Sequence, residues 1–300
     1  MAETSIYWRT QCTIKLYFEE GWLIIIDSNR ERQKDGSVMA PIGAFDLGGL
    51  RVLVSAGGSG IGRVVAEQFA HAGARVHITD LVEDAVKSAA AGCLGIDGTV
   101  GDASQPKDAD QVFAAVCSRF GGLDVLVNNV GIAGPTGGVD SYADADVERA
   151  IAVNLTSHFY FLNRFVPLLK ASVRHPSILE IGSVAGRLGY GFRTPYAATK
   201  WAIVGLVKSL AIELGPEGVR ANAILPGVVA GPRMDRVIAA RAEATGVSTE
   251  AMRAAYLEKI SLRRMVEAED VANLALFLAS GLARNITGQA VSVDGNVEHL

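Results

Sequence analysis

Leu50-Arg51-Val52-Leu53-Val54-Ser55-Ala56-Gly57-Gly58-Ser59-Gly60-Ile61-Gly62 runs from a short apolar stretch into a cluster of glycines. Arg63–Ala72 then has helical character and stops at Gly73. A strand that turns through glycines into a helix lets the backbone approach a phosphate, which the helix N-terminus stabilises. Arg75–Thr79 is a second short β-branched run, and Asp80 closes it eighteen residues past Gly62. An acidic side chain at that distance is placed to bond the 2′- and 3′-hydroxyls of a ribose.

Strand and helix patterns alternate onward from this loop. Leu123–Val127, Ser177–Ile181, Val219–Leu225 and Ala290–Val293 read as strands, and Asp108–Arg119, Val147–Lys170, Pro195–Leu214 and Asp270–Leu278 as helical stretches. The strands are apolar along most of their length, as a sheet covered on both faces requires. The alternation predicts right-handed crossovers and a parallel sheet. We expect one doubly wound α/β domain of about seven strands over residues 46–300.

Residues 1–45 differ in character. Thr13–Phe18 and Trp22–Ile26 flank Glu19-Glu20-Gly21 and predict a β-hairpin. The polar stretch Asp27–Gly36 reads as a linker. Met39 is an alternative start, which would make the extension a product of a mis-called initiator.

Composition excludes several functions. Lys plus Arg number 28 against 32 Asp plus Glu, a formal charge of −4, which argues against a nucleic-acid partner. Apolar residues are 49% and charged residues 20%, a globular balance. The densest apolar run, Trp22–Ile26, is far below the roughly 18 residues of a membrane span. Cys12, Cys93 and Cys117 form no CxxC pair, which predicts neither a zinc site nor a disulfide framework, and a reducing cytoplasm. The N-terminus lacks the ordered parts of a signal peptide. His71, His77, His158, His175 and His299 show no metal-ligand spacing and read as structural or surface residues, so no metal is expected.

The second chemical cluster is Tyr196-Ala197-Ala198-Thr199-Lys200, near the start of a helical run. Four residues of separation puts Tyr196 and Lys200 on one helical face. A neighbouring ammonium favours the phenolate and moves tyrosine towards the working range of a base. Ser183 follows the strand ending at Ile181, at the carboxyl edge where open α/β sheets hold ligands.

These residues, in this order, resemble the short-chain dehydrogenase/reductase family over about residues 46–300. Gly60 and Gly62 match the family's Thr-Gly-x-x-x-Gly-x-Gly loop, while Ser55 and Ala56 replace its first two residues and Gly57 and Gly58 supply flexibility. Asn128-Asn129-Val130-Gly131 matches Asn-Asn-Ala-Gly, with Val130 for Ala. Asn154, Ser183, Tyr196 and Lys200 match the catalytic tetrad. Pro226-Gly227 matches the turn beside nicotinamide, but Gly231 stands where the family usually has Thr.

The resemblance implies a Rossmann-type fold and a nicotinamide cofactor, and Asp80, placed to bond the ribose hydroxyls and repel a 2′-phosphate, selects NAD. It implies cofactor contacts from Ser55, Gly57, Ser59, Gly60, Ile61 and Gly62 in the first loop, and from Asp80, Asp102 and Ala103 around the adenosine. Asn129, Val130, Gly131, Pro226, Gly227 and Val229 would line the nicotinamide side, with Tyr196 and Lys200. Tyr196 would exchange a proton with the substrate hydroxyl. Lys200 would support it and bond the ribose, Ser183 would hold the carbonyl oxygen, and Asn154 would anchor water. The family also implies a homotetramer. Trp201, Ile203, Val204, Leu206, Val207 and Leu210 lie on more than one face of their helix, more apolar surface than one sheet covers.

The expected activity is interconversion of a secondary alcohol and a ketone on a small, polar, hydroxylated or acidic substrate. Arg187, Arg193 and Arg233 flank the expected substrate side, and Arg193 or Arg233 could fork onto an anion. Met234–Tyr256, Ala-rich and charged, reads as helices of a substrate lid. Two alternatives stand beside this. One is a 3-oxoacyl thioester reductase, which normally uses NADPH and a base in the glycine loop, where Ser59 stands here. The other is a non-catalytic module that senses nicotinamide.

Overall fold

The computed structural model describes residues 47–299 throughout, together with the backbone of three N-terminal strands. The chain divides into two units, residues 1–44 and 45–300. In the first, β1 (Thr4–Tyr7), β2 (Thr13–Glu19) and β3 (Trp22–Asp27) form a small antiparallel sheet in the order β1-β2-β3. β2 and β3 pair from Glu19↔Trp22 to Ile14↔Asp27. The expected linker beyond Asp27 and the alternative start at Met39 lie outside the described residues, as does Cys12.

The second unit holds one seven-stranded sheet in the order β10-β9-β8-β7-β4-β5-β6, every pair parallel. Its strands are β4 (Arg51–Ser55), β5 (Arg75–Asp80), β6 (Ile96–Val100), β7 (Val125–Asn128), β8 (Ser177–Ile181), β9 (Arg220–Pro226) and β10 (Ala290–Val293). The chain builds outward from β4 to β6, then returns to lay β7 against the other side of β4. This makes the sheet doubly wound, Rossmann-type, with its switch point between β4 and β7, where such sheets bind ligands.

Side-chain alternation divides the core into two layers. Val52, Val54, Val125, Val127, Leu179 and Ile181 face one side, with α1 (Gly60–His71) and α9 (Ala268–Ala279). Leu53, Leu126 and Ile178 face the other. There they meet α3 (Pro106–Phe120), α5 (Ser157–Lys170) and α6 (Thr194–Leu214). The period of two is that of a strand buried on both faces. Phe161 and Phe165 stack at 5.8 Å within the second layer, and Phe113 meets Phe165 edge-on at 5.5 Å.

Two elements are weaker in the sequence than in the fold. β6 reads Ile-Asp-Gly-Thr-Val, and α2 (Glu83–Gly92) is a ten-residue helix whose apolar residues are alanines and a single Val86. β6 is an edge strand with one neighbour, so it needs fewer buried side chains and gives no continuous apolar run. The Val147–Lys170 stretch is a single helical path. It comprises α4 (Asp144–Ile151), a π-helical turn Ala152–Thr156, and α5. Over the carboxyl edge of the sheet lie α7 (Pro232–Thr245) and α8 (Thr249–Glu258), whose Ile238 and Tyr256 pack with Val228, Ile260 and Val297. Among the described residues, no helix is long and apolar enough to cross a membrane.

Candidate active site

The carboxyl ends of β4, β7, β8 and β9 open into one cleft of about 880 Å³, roofed by α7 and α8. Ser59, Gly60 and Ile61 line it from the first loop, and Asn129 and Gly131 from the end of β7. Ser183, Tyr196 and Lys200 line it beyond β8, and Pro226, Gly227 and Val229 beyond β9.

Close packing shapes the glycine loop. A Cβ at Gly62 would lie 2.2 Å from the Ala56 carbonyl oxygen and 2.4 Å from Asn129 Nδ2. Gly57 and Gly58 are buried against Ile78 and Asp80, so they serve close packing where flexibility was expected of them. Ala56 occupies a left-handed conformation, φ 50°, at a position where the family pattern has glycine. Asn129 holds the loop by donating Nδ2 to the carbonyls of Ser55 and Ala56, both at 3.1 Å. In return Ser55 Oγ accepts the Asn129 and Val130 amides. Helix α1 has no acidic residue in its first turn, and the Ser59 side chain makes no cap bond. Its amino end therefore presents free N–H groups and an uncompensated dipole to the cleft, which suits a pyrophosphate.

Asp80 ends β5 beside this loop. Its Oδ2 accepts the Gly58 amide at 3.0 Å and its Oδ1 the Val82 amide at 3.1 Å, which fixes the carboxylate and leaves a lone pair on each oxygen. Asp102 turns onto its own turn, accepting from the amide and hydroxyl of Ser104, and Ala103 is buried beside it. Neither lines the large cleft.

Tyr196 and Lys200 rise from the first turns of α6, started by Pro195 at a position that needs no amide donor. Lys200 Nζ donates to the Ile181 carbonyl at 2.9 Å and lies 5.9 Å from the Tyr196 ring. Burial pushes the Tyr196 hydroxyl up. Lys200, Arg233, Arg193 and a hydrogen bond with Ser183 outweigh it and hold the hydroxyl below the ordinary tyrosine range. Burial also lowers Lys200, only partly offset by Tyr196 and Glu180. Ser183 Oγ accepts the Ala185 amide at the end of β8.

Asn154 sits in the π-helical turn, fully buried. Its Oδ1 accepts the Ile132 amide at 2.7 Å, and its Nδ2 donates to the Ile132 carbonyl and to Thr199 Oγ1. A Cβ on Gly131 would lie 3.3 Å from Asn154 Oδ1 and 3.5 Å from Lys200 Nζ, so all three converge. π-turns of this kind are frequent at functional sites.

The three arginines separate. Arg187 donates to Asp294 Oδ2 and the Val297 carbonyl and is spent on the C-terminal segment. Arg193 lines the cleft but is 4% exposed, with its guanidinium on the Ala133 carbonyl and the Tyr190 hydroxyl. Arg233 is exposed, lines the cleft and makes one bond, to the Gly131 carbonyl at 3.1 Å. Arg236, one turn further along α7, lines the cleft with it. Gly231, just before α7, has φ +128°, a conformation that explains glycine where the family usually has Thr.

Other polar residues at the site gave no motif in the sequence. Thr199 lies inside the Tyr-x-x-x-Lys motif yet bonds to Asn154. Glu180 and His158, both fully buried, bond to each other beneath the cleft. Asn128 Nδ2 donates to Glu180, and His158 Nε2 donates to the Val130 carbonyl. Tyr190 and Tyr256 join by their hydroxyls at 2.6 Å under α7 and α8. Only position in the fold brings these residues together. Among the described residues, no cluster of His, Cys, Asp or Glu could hold a metal.

Comparison with known proteins agrees with this arrangement. The sequence pattern of a family described as enoyl-(acyl carrier protein) reductase matches residues 55–297. A D-beta-hydroxybutyrate dehydrogenase of Rhizobium meliloti is 34% identical over 247 residues, 79% of this chain and 94% of that protein. A galactitol 2-dehydrogenase of Agrobacterium fabrum is 33% identical over 246 residues, 81% and 95% of the two chains. The solved 3-ketoacyl-(acyl-carrier-protein) reductase of Brucella melitensis, complexed with NADH, superposes with a TM-score of 0.74 at 30% identity, covering 83% of this chain and 98% of its own. The chain belongs to the short-chain dehydrogenase/reductase family of oxidoreductases.

Proposed function

We propose that the protein is an NAD-dependent dehydrogenase that interconverts a secondary alcohol and a ketone. The observation that carries this is Tyr196, at the cleft wall, beside Ser183 and with its hydroxyl held below the ordinary range by Lys200 and Arg233. A binding module that only sensed nicotinamide would have no use for a tuned phenol.

The cleft, with the loops beside it, would hold a dinucleotide. The amino end of α1 would hold the pyrophosphate, and Asp80 the adenosine ribose. Asp102 and Ala103 would border the adenine. Asn129, Val130, Gly131, Pro226, Gly227 and Val229 would border the nicotinamide half. A bound nicotinamide supplies the hydride acceptor or donor. The chain supplies the rest. Ser183 holds the substrate oxygen as charge develops on it. Tyr196 takes the hydroxyl proton in oxidation and returns it in reduction. Lys200 stabilises the phenolate. Asn154, braced by Ile132 and Thr199, orders the wall from which that proton reaches water.

NAD is favoured over NADP because the Asp80 carboxylate would repel a 2′-phosphate, and Ser59 gives no compensating base. The same features weigh against a 3-oxoacyl thioester reductase using NADPH. Arg233, with Arg236 near it, suits a small substrate bearing a carboxylate or several hydroxyls. The relatives named for a hydroxy acid and a polyol fall within that range. Trp201 and Ile212 on α6 and Phe159 on α5, all exposed, suit association of four copies. Cys93 and Cys117, in no disulfide among the described residues, suit a cytoplasmic setting. A panel of hydroxy acids, polyols, sugar acids and aromatic alcohols, followed at the nicotinamide absorbance with NAD and with NADP, tests the proposal. NAD-dependent oxidation of an acid or polyol supports it, and equal efficiency with both cofactors refutes the cofactor assignment.

A further inference from the structure

Among the described residues Arg193 has no carboxylate partner, and it lies 4% exposed in the wall of the cleft. Its guanidinium carbon lies 4.4 Å from the centre of the Tyr196 ring and 4.9 Å from that of Tyr190. It donates to the Ala133 carbonyl at 2.7 Å and the Tyr190 hydroxyl at 3.3 Å, and its Nε is buried with no hydrogen-bond partner. A buried cation without a counter-ion is costly, and one that also leaves a donor unused needs another explanation than stability.

The residues around it supply one. Tyr190 is also held by the helices over the cleft. Its hydroxyl meets that of Tyr256 on α8, and Arg241 of α7 lies 5.0 Å from its ring and donates to Tyr256 at 3.1 Å. Arg241, Tyr190, Arg193 and Tyr196 thus form a column of alternating cations and aromatic rings, running from α7 to Tyr196. Planar guanidinium groups stack on aromatic faces in this way, and a lysine ammonium does so less well.

We propose that Arg193 is a positioning residue: a second buried cation, clamped between Tyr190 and Tyr196 by the seating of α7 and α8, that fixes the Tyr196 ring and stands as its counter-charge. Its effect on the reaction passes through Tyr196. This inference rests on Tyr196 being the base and adds what holds and charges it. The groups that face Tyr196 are Lys200 on α6, Ser183 after β8, Arg233 on α7 and Arg193 itself, with the Glu180–His158 pair beneath Lys200. Lys200 and Arg233 act on the hydroxyl more strongly than Arg193 does, so removing Arg193 weakens the arrangement without abolishing it.

The test needs no substrate. The tyrosinate absorbance of the NAD-bound protein is titrated with pH, and that of the Tyr196→Phe variant is subtracted to isolate Tyr196. In Arg193→Gln the Tyr196 midpoint should rise by roughly one pH unit, the low end of what a close opposite charge does. Arg193→Lys should keep most of the original midpoint. Tyr190→Phe, which keeps the ring and loses the hydroxyl that accepts from Arg193, should raise it by a smaller step. It also serves if Arg193→Gln does not fold. An unchanged midpoint in folded Arg193→Gln, or in Tyr190→Phe where the glutamine variant is unfolded, overturns the proposal. Turnover by Tyr196→Phe with a substrate from the panel would instead overturn the assignment of Tyr196 as base, and leaves the titration to judge Arg193 separately.

Discussion

At the scale of single residues, cofactor choice rests on Asp80 and substrate choice on Arg233. Asp80→Ala combined with Leu81→Arg removes the repulsion and adds a partner for a 2′-phosphate. The ratio of kcat/KM for NAD to that for NADP should fall by about tenfold or more, each tenfold corresponding to about 1.4 kcal/mol. An unchanged ratio would mean that the carboxylate, fixed by Gly58 and Val82, does no more than shape the loop. Arg233→Ala should raise KM for an anionic substrate well above its effect on a neutral alcohol of similar size, because a charge-assisted bond contributes more than a neutral one. Equal effects would assign Arg233 to packing on the Gly131 carbonyl. Spacing and the end of a strand singled out Tyr196, Lys200 and Ser183, whereas Asn154 entered only through the family resemblance. Arg193 shows the limit of that legibility. Its place in the sequence suggested an anion anchor, while its bonds to Ala133 and Tyr190 come from loops that no spacing rule joins.

At the scale of elements, the β4–α1 loop is the tightest part of the site. Gly62→Ala would drive a Cβ into the Ala56 carbonyl and Asn129, and neither a backbone oxygen nor a clamped amide moves aside freely. We expect a loss of about 1–3 kcal/mol in denaturant unfolding, typical of overpacking, with a weakening of NAD binding measured by calorimetry. Wild-type stability and affinity in this variant would show that the loop is looser than its contacts imply. The strand Ser177–Ile181 could be read to the residue, because a strand covered on both faces is mostly apolar and its Ile178, Leu179 and Ile181 outweigh Ser177 and Glu180. The edge strand β6 and the helix α2 could not, since an edge buries less and leaves a weaker pattern. The π-helical turn that carries Asn154 had no sequence signal either. Its Asn154 is held by bonds to Ile132, a residue far from it in sequence.

At the scale of the whole molecule, the exposed apolar residues of α5 and α6 predict association. Phe159 is 49% exposed, Trp201 51% and Ile212 80%, although Ile203, Val207 and Leu210 of α6 are buried in the core. Light scattering at micromolar concentration should give the mass of four chains, and Ile212→Asp should lower it. A monomer in the unmutated protein would contradict the homotetramer.

The central claim is that Tyr196 passes the proton, and one pair of measurements bears on it most directly. With a substrate from the panel, kcat/KM for oxidation is followed against pH for the unmutated protein and for Tyr196→Phe, alongside NAD affinity. The phenolate is the base, so oxidation should rise with pH through a midpoint below the ordinary tyrosine value of about 10 and then level off. Reduction needs the protonated hydroxyl, so it should decline over the same interval. Tyr196→Phe should lose at least about 100-fold in oxidation while binding NAD nearly as well, since general-base catalysis typically contributes 10²–10⁴-fold. Retention of more than about a tenth of the rate, with the pH limb unmoved, would contradict the account.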